Sequence, residues 1–261
     1  MSEKRIVKKP KVTPISESNT GEYKPQLTKK ELITQIIKKK TKEKFLTASQ
    51  KTYYNILTQK QITICSGPAG VGKSFIAMKA AIDLLADPNT PYEKIIIVRP
   101  AVEAEEKLGS LPGNVEEKLD PYIFPSFYLM NKIIGKEARE KLKELEIIEV
   151  FALAYMRGMN IDNSILVFEE GQNATPSQMK LLLTRIGFNS KFFISGDLEQ
   201  TDRYKDKTQS GLYDAIKRHK HTDDIGVFEF GDGDVVRNPL ITKILENYGD
   251  KHIQNTEKPI H

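Results

Sequence analysis

The sequence predicts an α/β fold in which a mostly parallel sheet is covered by helices on both faces. Short apolar runs of strand length alternate with longer amphipathic segments along most of the chain. A glycine-rich turn at residues 67–72 joins one of these runs to a helical segment. The chain has 261 residues, of which 39% are hydrophobic and 29% charged, which is ordinary for one globular core. With no internal repeat and no second core, we expect a single domain.

The individual elements follow from the periodicity of the apolar residues. A run of four to six apolar residues bounded by turn residues is typical of a buried strand, whereas apolar residues three or four apart indicate a helix. The predicted strands are 62–66, 95–98, 147–151, 165–168, 192–195 and 227–230, and the predicted helices are 32–37, 50–57, 73–85 and 175–186. Glycines and prolines interrupt residues 103–128, so we expect a long excursion there with one short helix at 115–119.

Composition divides the chain into an arm, a domain and a tail. Residues 1–28 are polar and lysine-rich, which predicts a flexible basic arm, followed by a domain at 29–250 and a tail at 251–261. The net charge of +5 and the pI near 9.0 leave two readings open, neutralisation of a polyanion and solvated surface charge. No apolar run approaches the roughly 20 residues of a membrane span, and the start lacks a secretory signal, so we expect a cytoplasmic protein. Cys65, the single cysteine, is expected to be a buried thiol.

The glycine-rich turn carries the strongest chemical signal. It fills every fixed position of the phosphate-binding pattern G-x-x-x-x-G-K-[ST], between a strand and a helix. Glycines let the backbone amides point at phosphate oxygens, the lysine reaches the β- and γ-phosphates, and the serine hydroxyl binds Mg²⁺. The predicted nucleotide-binding residues are Gly67, Pro68, Ala69, Gly70, Val71, Gly72, Lys73, Ser74 and Phe75.

Two carboxylates follow the predicted strand at 165–168. In this position after a phosphate loop, the first acid, Glu169, is expected to hold Mg²⁺ and the second, Glu170, to orient or deprotonate the attacking water. Aspartate is more usual at the first position. The additional methylene of Glu169 moves its carboxylate by about one carbon–carbon bond, which Mg²⁺ accommodates through its retained waters. Nucleotide binding is therefore better supported than the rate of hydrolysis.

A third pair of polar residues follows the predicted strand at 192–195. Asp197 and Gln200 follow it in a G-D-x-x-Q pattern that looks like helicase motif III. An acid and an amide at the γ-phosphate can detect whether phosphate is present and move neighbouring segments. These residues predict that hydrolysis is coupled to motion.

Together these stretches resemble the PhoH family of P-loop ATPases, which share the core motifs of superfamily 1 helicases. The resemblance covers residues 50–248. Besides the motifs above, it includes the sequences VRPA at 98–101, LGSLPG at 108–113, AYMRG at 154–158, EEGQN at 169–173, QMK at 178–180, LTRIG at 183–187, SGL at 210–212 and VVRNPL at 235–240. Three positions depart from the family pattern, which usually has aspartate at Glu169, alanine at Gly171 and histidine at Asn238.

The resemblance implies a RecA-like P-loop NTPase domain that uses ATP and Mg²⁺ and forms a homo-oligomer, a hexameric ring. It also implies single-stranded RNA or another nucleic acid as the partner. The family occurs in bacteria and bacteriophages, so the expected location is the cytoplasm, that of the host if the protein is phage-encoded. The chain looks like the short form that carries the ATPase domain alone. The family takes its name from induction under phosphate starvation.

Further residues complete the predicted nucleotide site. Gln50 lies where related helicases use a glutamine to read the adenine edge. Tyr53 and Tyr54 could stack on the base, although aromatic residues at helical spacing are more often part of the core.

Arginines and lysines supply the remaining candidates. An arginine from a neighbouring subunit would stabilise charge at the γ-phosphate during hydrolysis, and Arg237 is preferred for this over Arg185 and Arg203. For contact with a nucleic-acid backbone the chain offers Arg99, Lys107 and Arg157, each of which could instead form a structural ion pair.

Two functions remain open on these residues. The first is a nucleic-acid-stimulated ATPase, with RNA helicase activity as its strongest form. The second is a nucleotide-dependent assembly or regulatory module in which slow hydrolysis acts as a timer, a reading that Glu169 supports. Oligomeric state separates them most directly, because one motor domain needs a ring to hold a strand at two points.

Overall fold

A computed structural model describes residues 27–37, 45–100, 115–201, 203–204, 206–236 and 239–247. The predicted arm and tail therefore lie outside the described residues, apart from Leu27 and Thr28 at the end of the arm. Within the described part of the chain, no helix is long and apolar enough to cross a lipid bilayer.

The centre of the fold is a six-stranded sheet. Its strands are β1 (Ile62–Ser66), β2 (Lys94–Arg99), β3 (Ile148–Ala152), β4 (Ser164–Phe168), β5 (Lys191–Gly196) and β6 (Ile225–Glu229). The spatial order is β3-β2-β4-β5-β1-β6, and every pairing is parallel. All six predicted strands are confirmed, with ends that differ by at most two residues. The carboxyl ends of β4, β5 and β1 lie side by side in this order, which brings the three predicted motifs to one edge.

The helices lie before and between the strands. They are α1 (Lys29–Ile36), α2 (Ala48–Gln59), α3 (Lys73–Ala86), α4 (Val115–Ile134), α5 (Lys136–Glu144), α6 (Pro176–Leu183), α7 (Gly211–His219) and α8 (Pro239–Asn247). The sequence predicted α1, α2, α3 and α6 but not α5, α7 or α8. The α6 helix begins as expected, because Thr175 at the N-cap and Gln178 in the first turn form a reciprocal capping box and Pro176 is the first helical residue.

Each face of the sheet buries its own apolar core. Alternate residues of one strand point to opposite faces, so Ile165 and Val167 of β4 pack with α1 to α5, whereas Leu166 and Phe168 pack with α6 and α7. These four side chains are completely buried. The fold is thus an α/β sandwich with helices on both faces, as the sequence predicts.

The prediction for residues 103–128 was wrong in its second half. In place of a short helix at 115–119, α4 continues to Ile134 through both of its prolines. The sequence predicted a break because proline lacks an N–H donor and clashes with the preceding turn. The helix persists because Ile123, Ser126, Met130 and Ile133 recur every three or four residues and bury one face against the sheet and neighbouring helices. Residues 101–114 lie outside the described part.

Candidate nucleotide-binding site

The loop between β1 and α3 has the backbone geometry that its glycines predict. Gly70 and Gly72 have φ angles of 92° and 91°, a region that residues with a Cβ rarely enter. Gly72 caps α3 without a side-chain hydrogen bond, and the first helical backbone bond runs from Ile76 to Gly72. The amino end of α3, which begins at Lys73, therefore carries the partial positive charge of the helix. This loop end is suited to bind an anion.

Other contacts hold this loop close to the rest of the fold. A Cβ added to Gly67 would lie 2.6 Å from Cβ of Phe230, which follows β6, so only glycine fits there. The Lys73 ammonium donates hydrogen bonds to the carbonyls of Gly67 at 2.5 Å and Pro68 at 2.8 Å. Its charge consequently lies along the curve of the loop, where phosphate oxygens are expected.

A cavity of about 360 Å³ opens at this loop. This volume is within the range of about 300–1,000 Å³ that is typical of small-molecule sites. Its lining brings together residues from the loop, α4 and the ends of β4 and β5: Ala69, Gly70, Gly72, Lys73, Ser74, Phe75, Leu129, Glu170, Ser195, Gly196, Asp197 and Gln200. The predicted Gly67, Pro68, Val71, Gln50 and Glu169 are not in this lining. Leu129 was missed, because nothing in its sequence context marks it.

A larger cavity of about 610 Å³ lies elsewhere, between α6 and α7. Ile62 and Ile225 at the starts of β1 and β6 contribute to its lining, so it is at the opposite edge of the sheet from the loop. None of the predicted nucleotide residues reaches it. Since it offers no helix N-terminus with a glycine-rich loop, the smaller cavity is the better candidate for a phosphate ligand.

The two acids after β4 have different environments. Glu169 is 1% exposed, and its Oε2 accepts hydrogen bonds from Nη2 of Arg99 at 2.9 Å and from Oγ of Ser126. Its Oε1 is also buried but accepts no hydrogen bond from any residue that the structure describes. Glu170 is exposed and lines the cavity. Ser126 was not predicted, because it lies on the part of α4 where a helix was not expected.

Two oxygen groups of the candidate site are suited to a magnesium ion. Mg²⁺ is bound by oxygen ligands, often with several of its waters retained. The lining supplies the Ser74 hydroxyl, and the unpaired, buried Oε1 of Glu169 is an acceptor without a donor. A buried carboxylate oxygen of this kind is costly unless something binds it. The residues present are therefore compatible with the predicted metal ligands.

Glu170 occupies a constrained position. Its backbone is in the left-handed region, with a φ of 56°, which costs a residue with a side chain about 1–2 kcal/mol. The carboxylate Oε2 accepts a hydrogen bond of 2.7 Å from the amide of Gln172. Non-glycine residues held in this conformation are concentrated at functional sites. The turn thus directs Glu170 towards the cavity while the preceding Glu169 stays buried.

Gln50 contacts the loop without lining the cavity. Its amide nitrogen donates to the carbonyl of Val71 at 3.0 Å, and its amide oxygen accepts from the backbone N–H of Leu46 at 2.8 Å. The side chain is buried, and its nitrogen would be 3.1 Å from a Cβ placed on Gly72. In this arrangement Gln50 supports the loop, and contact with an adenine base stays a prediction.

The aromatic residues and the cysteine near the loop belong to the core. Tyr53 is fully buried and packs against Phe228 and Phe230, with ring centroids 5.7 and 5.4 Å apart. Tyr54 is half-buried and donates to Asp83 at 2.8 Å. Burial raises the pKa of the Cys65 thiol to about 12, which keeps it protonated and unreactive at neutral pH.

The arginine candidates lie in different parts of the molecule. Arg185 donates to the carbonyl of Met159 at 3.2 Å, in a segment that precedes β5 at the amino end of the sheet, so it lies away from the nucleotide edge of its own chain. Arg203 is exposed. Arg237 lies outside the described residues, but the N–H of the preceding Val236 donates to the carbonyl of Gly70 at 3.2 Å.

The predicted nucleic-acid contacts have mixed outcomes. Arg99 pairs with the buried Glu169 and is itself mostly buried, which favours the alternative that it is part of a structural ion pair. Arg157 is exposed beyond β3. Lys107 lies outside the described residues.

Comparison with known proteins identifies the family of this chain. A sequence model of the family described as "PhoH-like protein" matches residues 43–249. The chain belongs to this family. A PhoH-like protein of Bacillus subtilis is 43% identical over 202 residues, which are 77% of this chain and 62% of that protein. A PhoH-like protein of Synechocystis is 39% identical over 213 residues, 82% of this chain and 63% of the relative.

A more distant PhoH protein extends the comparison. "Protein PhoH" of Escherichia coli K12 is 34% identical over 202 residues, which are 77% of this chain and 56% of that protein. The matched region spans only about three fifths of these PhoH relatives. The family match at residues 43–249 contains the described sheet and the candidate nucleotide site.

Proposed function

We propose that this PhoH-like protein binds ATP with Mg²⁺ and hydrolyses it in the cavity at the phosphate loop. The observation that carries the proposal is the lining of that cavity. It joins the amino end of α3 and Lys73 to Glu170 and Gln200, which come from two other strands. A phosphate-binding helix end with a carboxylate in the same cavity is the arrangement required to bring water to a γ-phosphate.

Each residue has a role in this proposal. The loop amides and Lys73 bind the phosphates, while Ser74 and the unpaired oxygen of Glu169 hold Mg²⁺ directly or through water. Glu170 orients the attacking water and accepts its proton. When bound, Mg²⁺ neutralises charge that develops on the phosphate oxygens. Gln200, in the turn after β5, detects the presence of the γ-phosphate.

The partner in this proposal is nucleic acid, with single-stranded RNA preferred, and the active form is a homo-oligomeric ring. The sequence resemblance to helicase cores supports the partner. The structure adds that Arg99, in the segment expected to follow the nucleic-acid backbone, pairs directly with Glu169. Binding of RNA near Arg99 would thereby change the surroundings of a proposed magnesium ligand, which supplies a route to RNA-stimulated hydrolysis.

One observation favours the second function, a nucleotide-dependent assembly module with slow hydrolysis. Arg99 and Ser126 both use Oε2 of Glu169, so this oxygen is already occupied without metal. An acid held in this way has one oxygen left for Mg²⁺ or its waters, and slow turnover would follow. Nucleotide would then act mainly by changing the assembly.

Phosphate release from Mg-ATP tests the proposal. The full chain is assayed alone, with single-stranded RNA and with single-stranded DNA, beside Glu170→Gln and a control, Glu144→Gln, on the exposed surface of α5. We expect hydrolysis that RNA accelerates, a loss of about 10²–10⁴-fold in Glu170→Gln, and no change in the control. Absence of hydrolysis by the assembled wild type would overturn the ATPase. The second function would be favoured by slow hydrolysis at a rate that RNA does not change, together with an oligomer size, measured by light scattering, that nucleotide does change.

A further inference from the structure

Gln172 connects two walls of the nucleotide cavity without lining it. It lies in the short turn Gly171–Asn173 that follows Glu170, and its side chain is 1% exposed. A buried primary amide is costly unless its donors and its acceptor are used. The partners of this amide therefore show what holds it there.

All of those partners belong to the proposed hydrolytic machinery. The Gln172 nitrogen donates to Oε2 of Glu170 at 2.7 Å and to the backbone carbonyl of Gln200 at 3.1 Å. Its oxygen accepts the backbone N–H of Asp197 at 3.0 Å. One side chain thus bonds the carboxylate after β4 to both ends of the turn after β5.

The turn after β5 is itself closed by local hydrogen bonds. The N–H of Gln200 donates to the carbonyl of Asp197 at 3.1 Å, and the N–H of Glu199 donates to a carboxylate oxygen of Asp197 at 3.0 Å. These bonds make the turn move as a unit, and Gln172 moves with it. Because Gln172 bonds to both ends of the turn, such a movement also changes its bond to Glu170.

Close packing leaves Gln172 little freedom to move separately. A Cβ placed on Gly196, the last residue of β5, would lie 2.4 Å from its amide oxygen. The absence of a side chain at this position lets the amide approach the strand end. The bond from Gln172 uses only Oε2 of Glu170, which leaves Oε1 available to a water molecule in the cavity.

We propose that Gln172 is a positioning residue that aligns the Glu170 carboxylate with the turn at Asp197 and Gln200, and that it affects hydrolysis through Glu170. This inference rests on the proposed ATPase function. Gln172 contributes no charge and no group to the cavity wall. It sets the direction of the carboxylate and links that direction to the turn that faces the γ-phosphate.

The test combines single and double variants of the full chain with Mg-ATP. Gln172→Glu keeps the size of the side chain and an acceptor for Asp197, but places a second carboxylate against Glu170. We expect kcat to fall about 10- to 100-fold, a part of the general-base contribution, while KM changes less than about twofold. Glu170→Gln combined with Gln172→Glu should be no slower than Glu170→Gln alone, because residues that act through one another are not additive.

Two further variants complete the design. Gln59→Glu, on the exposed end of α2, has the same chemical change and should retain the wild-type kcat. Thermal unfolding shows whether Gln172→Glu folds, and if it does not, Gln172→Met, uncharged and of similar length, takes its place with the same expected loss. An unchanged kcat, or losses that multiply in the double variant, would overturn the inference while wild-type hydrolysis still supports the ATPase. A wild type without hydrolysis overturns the proposed function itself.

Discussion

Replacing Arg99 by methionine is expected to destabilise the folded protein strongly. The change keeps much of the apolar length of the side chain but removes the cation 2.9 Å from the Glu169 carboxylate. Glu169 is 1% exposed and Arg99 is 18% exposed, so the charge that is left behind cannot be solvated without local rearrangement. Removing one partner of a buried pair costs about 3–5 kcal/mol. Because Ser126 still donates to Oε2 and Arg99 is partly exposed, we expect the lower end, about 3 kcal/mol.

Urea unfolding at neutral pH, without nucleotide or Mg²⁺, measures this cost. We expect the m-value to be the same as that of the wild type. A cycle with Glu169→Gln separates the pair from its surroundings, because the double variant has no stranded charge and should lose about 2 kcal/mol less than the sum of the single losses. Arg218→Met is the matched control. Arg218 pairs with Asp214 through two bonds of 2.8 Å but at the exposed surface, where such pairs contribute little. A cost below about 1 kcal/mol for Arg99→Met, or additive losses, would refute the reasoning.

Three further changes have defined outcomes. Gly72→Ala places a Cβ on a residue with a φ of 91° and 3.1 Å from the Gln50 amide, so it should cost about 1–2 kcal/mol and weaken ATP binding in equilibrium titration. Thr175→Ala removes the hydroxyl that accepts the backbone N–H of Gln178 in the α6 capping box and should lower the free energy of unfolding by about 1 kcal/mol, with no effect on nucleotide affinity. Burial lowers the pKa of Lys191 from 10.5 to about 8, so the unfolded chain binds more protons between these values and stability rises with pH there. Lys191→Met removes this rise. The free energy of unfolding of the variant minus that of the wild type should therefore be more positive at about pH 7 than at about pH 10.5, by at most about 3 kcal/mol.

The outcomes that contradict these predictions are equally specific. Unchanged stability and affinity in Gly72→Ala would show that the loop tolerates a side chain. A Thr175→Ala variant with altered nucleotide affinity would show that α6 influences the cavity. If the stability difference between Lys191→Met and wild type does not change with pH, the Lys191 ammonium is solvated in the folded protein.

Much of this protein is determined by local sequence alone. All six strands were predicted, because runs such as 62–66 and 165–168 are apolar, short and bounded by turn residues. The backbone conformation of the glycine-rich loop is also local, because Gly70 and Gly72 adopt positive φ angles that glycine permits whatever the rest of the chain does. These features need no information about the rest of the chain.

Only the tertiary structure decided how these pieces meet. The strand order places β4, β5 and β1 side by side, and contacts between residues far apart in the chain set that order. Glu169 and Glu170 are adjacent in sequence, yet the fold buries the first against Arg99 and Ser126 and turns the second into the cavity. The α4 helix, which carries Ser126 and Leu129, continues through its prolines although proline locally disfavours a helix. Burial of one face of α4 stabilises it against this local preference. Side-chain partners depend on such packing, and a linear pattern does not contain it.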